Sequence, residues 1–324
     1  MKTTLLFLFA TLSLITAAAQ PGDSSNYILT TPKGSIYGTL LLPTSLTRQS
    51  SVSHPVPVVL IIAGSGPTDR NGNTIRLGLN TNMYKLLADS LSAHGIASLR
   101  YDKRGIGASI SAMTSESDMR FEDYISDAAG FIGMLKADHR FSHVIVLGHS
   151  EGSLIGMVAA AREHADAYIS AAGAGDRIDK ILERQLAAQS APLAAKATAL
   201  FDSLSQGHTV QDPGNGLSGL FRASVQPYMI SWLKYDPQQE IKQLHVPILI
   251  IQGTTDLQVS TGDAELLKKA APAATLQLID QMNHIFREAP LDRMANMATY
   301  KNPDLPLKPE LVQAIVSLVR LTSH

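Results

Sequence analysis

The chain has 324 residues, of which 45% are hydrophobic, a net charge of −1 and no cysteine. Its length and apolar content suit one folded core and exclude a disordered chain. The lack of cysteine excludes disulfides, a thiolate nucleophile and a cysteine metal site. The near-neutral charge gives no electrostatic basis for binding nucleic acid or an anionic membrane, so a small or neutral substrate is favoured.

Residues 1–19 have the pattern of a secretory signal peptide. Lys2 is followed by an apolar run over residues 5–15, and small side chains stand at Ala17 and Ala19. The run is shorter than the roughly 20 residues needed to cross a bilayer, which disfavours a membrane anchor. We therefore expect cleavage after Ala19 and a mature protein that is secreted or periplasmic, with no stable membrane anchor.

Strand and helix patterns alternate along most of the chain. Two β-rich runs on either side of residues 32–34 predict a hairpin, and apolar residues 57–62 predict a buried strand. Further strands are predicted at 97–101, 144–147, 167–170, 247–251 and 276–279, and helices at 84–94, 121–137, 154–162 and 310–321. This order predicts an α/β fold with a mostly parallel central sheet, helices on both faces and functional loops after the strands.

Residues 176–244 break this alternation. Helical patterns occur at 178–189, 194–204 and 221–233, the last with an expected break at Pro227, and no part has the pattern of a buried strand. We interpret the segment as a helical cap inserted over the strand ends. Residues 20–175 and 245–324 then form the core.

The pattern Gly-His-Ser-Glu-Gly at residues 148–152 directly follows an apolar strand and directly precedes a helix. Glycines two positions before and after the serine let the backbone turn sharply and let strand and helix approach each other. The Ser150 hydroxyl then projects from the corner, as a nucleophile requires. The alternative, a glycine-rich turn with an inert serine, is disfavoured by the flanking strand and helix.

Together, this strand, turn and helix resemble the α/β-hydrolase superfamily. Residues 64–73 resemble a group of bacterial serine esterases within it, and residues 100–109 resemble its Asp-x-Arg-Gly-x-Gly-x-Ser turn, in which Asp102 and Arg104 hold loops in place. The resemblance covers residues 26–175 and 245–320 and leaves out the cap. It implies a serine hydrolase that cleaves carboxylic esters through an acyl-enzyme on Ser150.

In this superfamily, the nucleophile is followed in the chain by an acid and then by a histidine. Only His284 and His324 come after an acid that follows a late strand, and His324 is the last residue, so His284 is the expected base. Asp256 lies in a Gly-x-x-Asp turn after a strand and is the expected orienting acid. Its rivals are Asp263, which is more simply a helix cap, and Asp280, which lies too close in sequence to the histidine.

Hydrolysis of an ester also needs N–H donors for the developing oxyanion. The resemblance implies that Glu151, directly after the nucleophile, supplies one backbone N–H. The loop at residues 63–67 is expected to supply the other, and we favour Ser65, then Gly66. Many family members have histidine where this chain has Ala63, and the alternative is a tight turn without a catalytic role.

The sequence implies no cofactor and no metal. His139 and His143 have the i, i+4 spacing of a zinc pair, but His143 enters a strand, so the two would not share a helix face. Gly105-x-Gly107 lacks the third glycine of a dinucleotide-binding fingerprint. The expected partner is a small-molecule ester.

Two other functions stay open at this point. An amidase or aminopeptidase of the same fold could use the same triad, and an aminopeptidase would need a cap carboxylate such as Asp179, Glu183 or Asp236 to hold the substrate's ammonium group. A non-catalytic binding protein could also retain the fold, although loss of a triad member would be its sign.

Overall fold

The computed structural model describes residues 24–43 and 54–322, and the predicted signal peptide lies outside these ranges. One sheet contains eight strands: β1 Ser24–Thr31, β2 Gly34–Leu41, β3 Val56–Ile62, β4 Ala97–Tyr101, β5 Phe141–His149, β6 Ala167–Ala171, β7 Ile248–Gly253 and β8 Thr275–Ile279. Their spatial order is β1-β2-β4-β3-β5-β6-β7-β8. The strand β2 is antiparallel to its neighbours β1 and β4, and all other pairs are parallel.

Eleven α-helices lie in the described ranges: α1 Met83–Ala93, α2 Phe121–Ala137, α3 Glu151–Arg162, α4 Ile178–Ala187, α5 Ala191–Ser205, α6 Ser218–Phe221, α7 Gln226–Trp232, α8 Pro237–Glu240, α9 Thr261–Ala270, α10 Arg293–Ala298 and α11 Pro309–Thr322. None of these helices is long and apolar enough to cross a membrane.

The central strand β3 explains why its sequence is a continuous apolar run. Val58, Leu60 and Ile62 pack into one hydrophobic cluster with α2 and α3, whereas Val59 and Ile61 pack into a second cluster with α1 and α11. Alternate side chains of a strand point to opposite faces, so a sheet covered on both faces needs apolar residues at every position. The loops that carry the expected site residues Ser150, Asp256 and His284 follow the strands β5, β7 and β8.

The segment 176–244, predicted to be a cap, contains α4 to α8 and no strand. Two helices agree closely with the prediction, and in the expected stretch at 221–233 the helix α7 covers Gln226–Trp232, whereas residues 222–225 are not helical. The break that we expected at Pro227 lies instead at residues 222–225, and Pro227 lies in the first turn of α7. Proline fits there because the first N–H groups of a helix have no partner within the helix.

Candidate active site

Ser150 lies between the end of β5 and the start of α3, at a sharp turn. Its backbone has φ 55° and ψ −120°, a conformation that residues other than glycine rarely adopt. The turn is held by the Ser150 N–H, which donates to the Ala171 carbonyl at 3.0 Å. Such strain costs on the order of 1–3 kcal/mol and occurs mainly at functional sites.

The two glycines of the motif are required by close backbone contacts. A Cβ at Gly148 would lie 2.1 Å from the Gly152 carbonyl oxygen, and a Cβ at Gly152 would lie 2.4 Å from the Ile62 carbonyl oxygen. Both obstacles are backbone atoms that cannot move aside independently. The absence of these side chains brings α3 directly against β3 and β5 and places Ser150 at the edge of the sheet.

Asp256 and His284 form a buried pair in the loops after β7 and β8. The His284 Nδ1 donates to Asp256 Oδ2 at 2.8 Å, and the two side chains are 6% and 1% exposed. The other carboxylate oxygen accepts the backbone N–H groups of Gln258 at 2.8 Å and Val259 at 3.0 Å. Because Nδ1 carries the proton in this bond, Nε2 of the neutral ring is left as an acceptor.

The environment keeps Asp256 ionised. Burial alone would raise the pKa of this carboxyl, but the neighbouring His284 and the hydrogen bonds from Val259 and Gln258 outweigh burial, so the pKa is lowered from its ordinary value. Asp256 is therefore a carboxylate at neutral pH and can fix the tautomer of His284.

Gly253, at the end of β7, brings the acid and histidine loops together. A Cβ there would lie 1.9 Å from the Met282 carbonyl oxygen, and the Thr255 N–H donates to that same oxygen at 3.2 Å. The glycine of the Gly-x-x-Asp pattern thus has a packing reason. It allows the loop that carries His284 to cross directly over the end of β7.

The rival acids occupy other places. Asp263 caps α9 through Ser260 and accepts a hydrogen bond from Arg184 at 2.6 Å. Asp280 accepts the Thr254 hydroxyl at 3.1 Å. Within the described residues, Asp256 is the carboxylate hydrogen-bonded to His284.

His149, next to the nucleophile, connects three segments of the site. Its Nε2 lies 2.9 Å from the His284 carbonyl oxygen, and its Nδ1 lies 2.7 Å from the Tyr84 hydroxyl. A carbonyl can only accept, so Nε2 carries the proton and Nδ1 accepts from Tyr84. Burial raises the pKa of Tyr84, which keeps this donor protonated. The Tyr84 oxygen in turn accepts the Gly64 N–H at 3.0 Å.

The expected oxyanion donors lie close to the nucleophile. A Cβ at Gly64 would lie 3.1 Å from the Ser150 Cβ, so the loop after β3 lies against the turn. Ser65, Ser150 and Glu151 line one cavity. Among the described residues, neither the Ser65 N–H nor the Glu151 N–H has a backbone acceptor. Gly66 lies one residue farther along, with φ 79°.

A buried charge pair that the sequence analysis did not identify lies next to these donors. Lys103 Nζ donates to Glu151 Oε2 at 2.7 Å and to the Gly64 carbonyl oxygen at 2.7 Å. The Tyr228 hydroxyl, from α7 of the cap, donates to Glu151 Oε1 at 2.5 Å. The Lys103 and Glu151 side chains are only 2% and 4% exposed.

Two neighbouring residues hold the loop after β4, as the resemblance implies. Asp102 accepts the Arg70 and Ala108 backbone N–H groups at 2.7 and 2.9 Å. Arg104 forms a two-pronged ion pair with Asp127 of α2, at 2.7 and 2.6 Å. The Asp102 bonds hold the turn that carries Lys103 into the site, and the Arg104 pair ties that turn to α2.

Two cavities meet at Ser150. The first, which we name the cap cavity, has a volume of about 240 Å³ and is also lined by Ser65 and Glu151. The rest of its wall is mainly apolar and comes largely from the cap: Leu154, Ile178, Ile181, Leu182, Met229 and Trp232.

The second cavity, which we name the histidine cavity, has a volume of about 200 Å³ and is lined by both Ser150 and His284. Its wall includes the polar residues Thr68, Thr74, Thr81, Gln258 and Tyr300. The residues that the structure describes contain no group of three or more histidine or acidic side chains placed to hold a metal ion.

A family model described as serine aminopeptidase, S33, matches residues 76–289, which include all three expected triad residues. The chain belongs to this family. The match confirms the resemblance to α/β hydrolases. It covers the nucleophile turn, the cap and both loops of the acid–histidine pair.

Among curated relatives, this S33 family chain is 29% identical over 246 residues to Esterase EstD from Thermotoga maritima. The match covers 72% of the chain and 55% of the relative, so the chain spans about half of the relative's length.

Solved structures confirm the fold. The α/β hydrolase GrgF from Penicillium sp. sh18 has a TM-score of 0.61 and 18% identity, covering 93% of this chain and 99% of that one. Est1E from Butyrivibrio proteoclasticus, solved with ferulic acid, has a TM-score of 0.56 and 16% identity, covering 88% and 96%. A puromycin-hydrolyzing peptidase from Mycobacterium tuberculosis has a TM-score of 0.58 and 14% identity, covering 93% and 39%.

Proposed function

We propose that the protein is a serine hydrolase that cleaves small carboxylic esters. One observation carries this proposal: Ser150 stands on a strained turn and shares a cavity with His284, whose Nδ1 is hydrogen-bonded to the buried carboxylate of Asp256. This is the arrangement of nucleophile, base and orienting acid that acyl transfer needs.

In the proposed reaction, Ser150 Oγ attacks the ester carbonyl carbon and His284 Nε2 takes the hydroxyl proton. Asp256 holds the imidazole in place and stabilises its protonated form. The negative oxygen accepts the N–H groups of Glu151 and Ser65, and each such donor typically lowers the barrier by roughly 3–4 kcal/mol. His284 then protonates the leaving alcohol and activates the water that releases the acyl group.

The positions of the cavities give the substrate a direction. The leaving alcohol must receive a proton from His284, which lines the histidine cavity but not the cap cavity. We therefore assign the leaving group to the histidine cavity and the acyl chain to the apolar cap cavity. Matching of apolar surfaces favours an aliphatic or aromatic acyl group.

An ester fits this site better than an N-terminal peptide. The candidate ammonium ligands in the cap are already engaged: Asp179 pairs with Arg177, Glu183 pairs with Lys180, and Asp236 caps α8. Asp176 does line the cap cavity, but it forms an ion pair with Arg184 at 2.5 Å. A substrate ammonium would have to compete with Arg177, Lys180 or Arg184, or with the helix cap at Asp236.

The decisive variant is Ser150→Ala, assayed with p-nitrophenyl butyrate. We expect kcat to fall by at least about 10⁴-fold, since loss of the nucleophile removes the whole triad's contribution, with the thermal melt unchanged. Ser153→Ala, three residues farther along α3, is the matched control and should remain active. A fluorophosphonate should label the wild type and the control but not Ser150→Ala.

Two results would contradict the proposal. The first is turnover of the ester by Ser150→Ala at more than a hundredth of the wild-type rate. The second is faster turnover of an aminoacyl p-nitroanilide than of the matched aminoacyl p-nitrophenyl ester, after correction for the uncatalysed rates.

We also propose that the mature protein is secreted or periplasmic. The signal-like pattern of residues 1–19 supports this location. Mass spectrometry of the protein recovered from culture medium or periplasm should find an N-terminus at Gln20. A full-length chain found only in the cytoplasm would contradict it.

A further inference from the structure

Lys103 is a buried cation that the triad mechanism does not use. It is 2% exposed and lies in the turn after β4, and its hydrogen bonds go to Glu151 and Gly64 and not to Asp256 or His284. Burying an ammonium is costly unless it is fully paired, so its contacts should have a structural or functional reason. Its two hydrogen-bond partners belong to the peptide group of the Ser65 N–H and to Glu151, the two expected oxyanion donors.

The first contact acts on the Ser65 N–H. The Gly64 carbonyl and the Ser65 N–H belong to one trans peptide group, so they point in opposite directions. Lys103 Nζ donates to that carbonyl at 2.7 Å. Rotation of the peptide would break a short, buried, charge-assisted hydrogen bond. The cation also polarises the peptide, which strengthens the N–H as a donor.

The second contact acts on Glu151, whose N–H is the other expected donor. Glu151 directly follows Ser150 and lines the same cavity, so an unbalanced negative charge on its side chain would oppose formation of the oxyanion. Lys103 Nζ binds this carboxylate at 2.7 Å and balances its charge. Tyr228 donates to the other carboxylate oxygen at 2.5 Å, so both oxygens of Glu151 are engaged.

We propose that Lys103 is a positioning residue for the oxyanion hole: it fixes the Gly64–Ser65 peptide, balances the charge of Glu151, and so aligns both N–H donors. The inference rests on the proposed serine-hydrolase function. Lys103 need not touch the substrate. Its effect is expected on the transition state, in which the oxyanion exists, more than on binding of the ester.

The test uses the full chain with Lys103→Met/Glu151→Gln, which removes both charges and leaves no unpaired buried ion. Loss of one oxyanion donor typically costs about 10²–10³ in kcat, so misalignment of the donors should lower kcat by about 10- to 100-fold with p-nitrophenyl butyrate. KM should stay within about threefold, because ground-state binding does not need the hole.

The matched control is Arg104→Met/Asp127→Asn. It removes a neighbouring buried ion pair that contacts neither residues 63–67 nor Glu151, and the Asp102 bonds to the Arg70 and Ala108 N–H groups still hold the turn that carries Lys103. Both double variants lose a buried pair, so they should lose similar stability in thermal melts. Only the Lys103 variant should lose kcat.

A pair of inhibitors separates a positioning role from a merely structural one. The Ser150 Oγ adds to the carbonyl carbon of an alkyl trifluoromethyl ketone, and the carbonyl oxygen becomes an oxyanion in the oxyanion hole. The matching methyl ketone binds largely without this addition. The Lys103 variant should lose affinity for the first in proportion to its loss of kcat/KM and keep its affinity for the second. Equal weakening of both ketones, or of neither, would overturn the inference.

If the methionine variant does not fold, Lys103→Gln/Glu151→Gln provides a neutral hydrogen-bonding pair. A kcat more than fivefold below that of the Arg104 control supports the inference, and a smaller difference overturns it. The serine variant keeps the two proposals apart. If Ser150→Ala is inactive and the Lys103 variants are unaffected, only this inference fails, whereas an active Ser150→Ala removes the proposed function.

Discussion

At the scale of single residues, His149 connects the nucleophile turn to both neighbouring loops and must stay neutral to do so. Burial, reinforced by the nearby His284, lowers the pKa of His149 to about 3, against about 6.5 for a free histidine. A protonated His149 could not accept the Tyr84 hydroxyl. The folded protein therefore excludes a proton that the unfolded chain binds in mildly acidic solution.

This difference predicts a pH-dependent stability. Between pH 6.5 and about 3, the unfolded state holds one more proton at His149, so the free energy of unfolding falls as the pH falls. The slope from this residue is about 1.4 kcal/mol per pH unit, and the contribution is fully present above about pH 6.5. His149→Gln should lack this component.

Urea unfolding of both proteins at several pH values measures the difference. Stabilities should converge as the pH falls from 6.5 towards 4, and the gap should be constant from pH 7 to 8. His164→Gln, at an exposed position, is the control and should follow the wild type. A gap between wild type and His149→Gln that is independent of pH below 6.5 would show that His149 titrates normally.

The triad residues could be proposed from the sequence, because the patterns that indicate them are local in the chain. Ser150 stands between glycines after an apolar strand, and Asp256 and His284 each follow a late strand in the order that the family uses. Their roles stay predictions until variants are assayed, but the structure does place the expected acid and base in one hydrogen bond.

The supporting residues were missed, because their signals are not local. Tyr84 contacts His149 across 65 positions, Lys103 contacts Glu151 across 48, and Tyr228 contacts Glu151 across 77. Before the fold is known, a lysine in a turn and tyrosines in helices have the pattern of surface or core residues. Only the tertiary fold, through the sheet topology for Tyr84 and Lys103 and the packing of the cap for Tyr228, brings them to the nucleophile.

At the scale of elements, the contact of α3 with β3 depends on Gly152. Alanine favours a helix over glycine by about 1 kcal/mol, so propensity alone predicts that Gly152→Ala stabilises α3. The backbone contact predicts the reverse, because the new Cβ would lie 2.4 Å from the Ile62 carbonyl oxygen. We expect sterics to win, with a loss of several kcal/mol in unfolding free energy and of most esterase activity.

Gly133→Ala in α2 is the matched control. Its Cβ would lie 3.9 Å from the nearest Glu163 carboxylate oxygen, an ordinary contact, so the helix propensity should decide and the variant should be as stable as the wild type or more so. Chemical denaturation of both variants tests the argument. If Gly152→Ala and Gly133→Ala behaved alike, the close approach of α3 to β3 could not be the reason for the glycine.

At the scale of the whole molecule, the alternation of strands and helices was enough to predict the layers of the core. The cap was harder, since its helices pack through side chains that sequence periodicity cannot assign to partners. The ring of Trp232, for example, stacks on Phe121 of the core at 5.4 Å, and Tyr228 reaches Glu151. These contacts across the cap–core boundary shape the apolar cavity next to Ser150.

The proposed direction of the substrate gives a prediction for each cavity. Ala174→Leu adds bulk to the cap cavity and should lower kcat/KM for p-nitrophenyl octanoate about tenfold relative to p-nitrophenyl acetate, because a lost methylene contact is worth about 1–3 kcal/mol. Leu79→Trp adds bulk to the histidine cavity. Leu79→Trp should lower kcat/KM for naphthyl acetate relative to methyl acetate. It should leave the dependence of kcat/KM on acyl-chain length unchanged.

The two variants control for each other, because each series varies one side of the ester while the other side stays constant. A general loss of stability or of catalytic geometry would lower all rates in parallel and leave both profiles unchanged. The reverse pattern, with Ala174→Leu selecting among alcohols and Leu79→Trp among acyl chains, would place the acyl group beside His284. His284 would then lie beside the acyl group and not beside the leaving group, and the proposed direction of the substrate would be wrong.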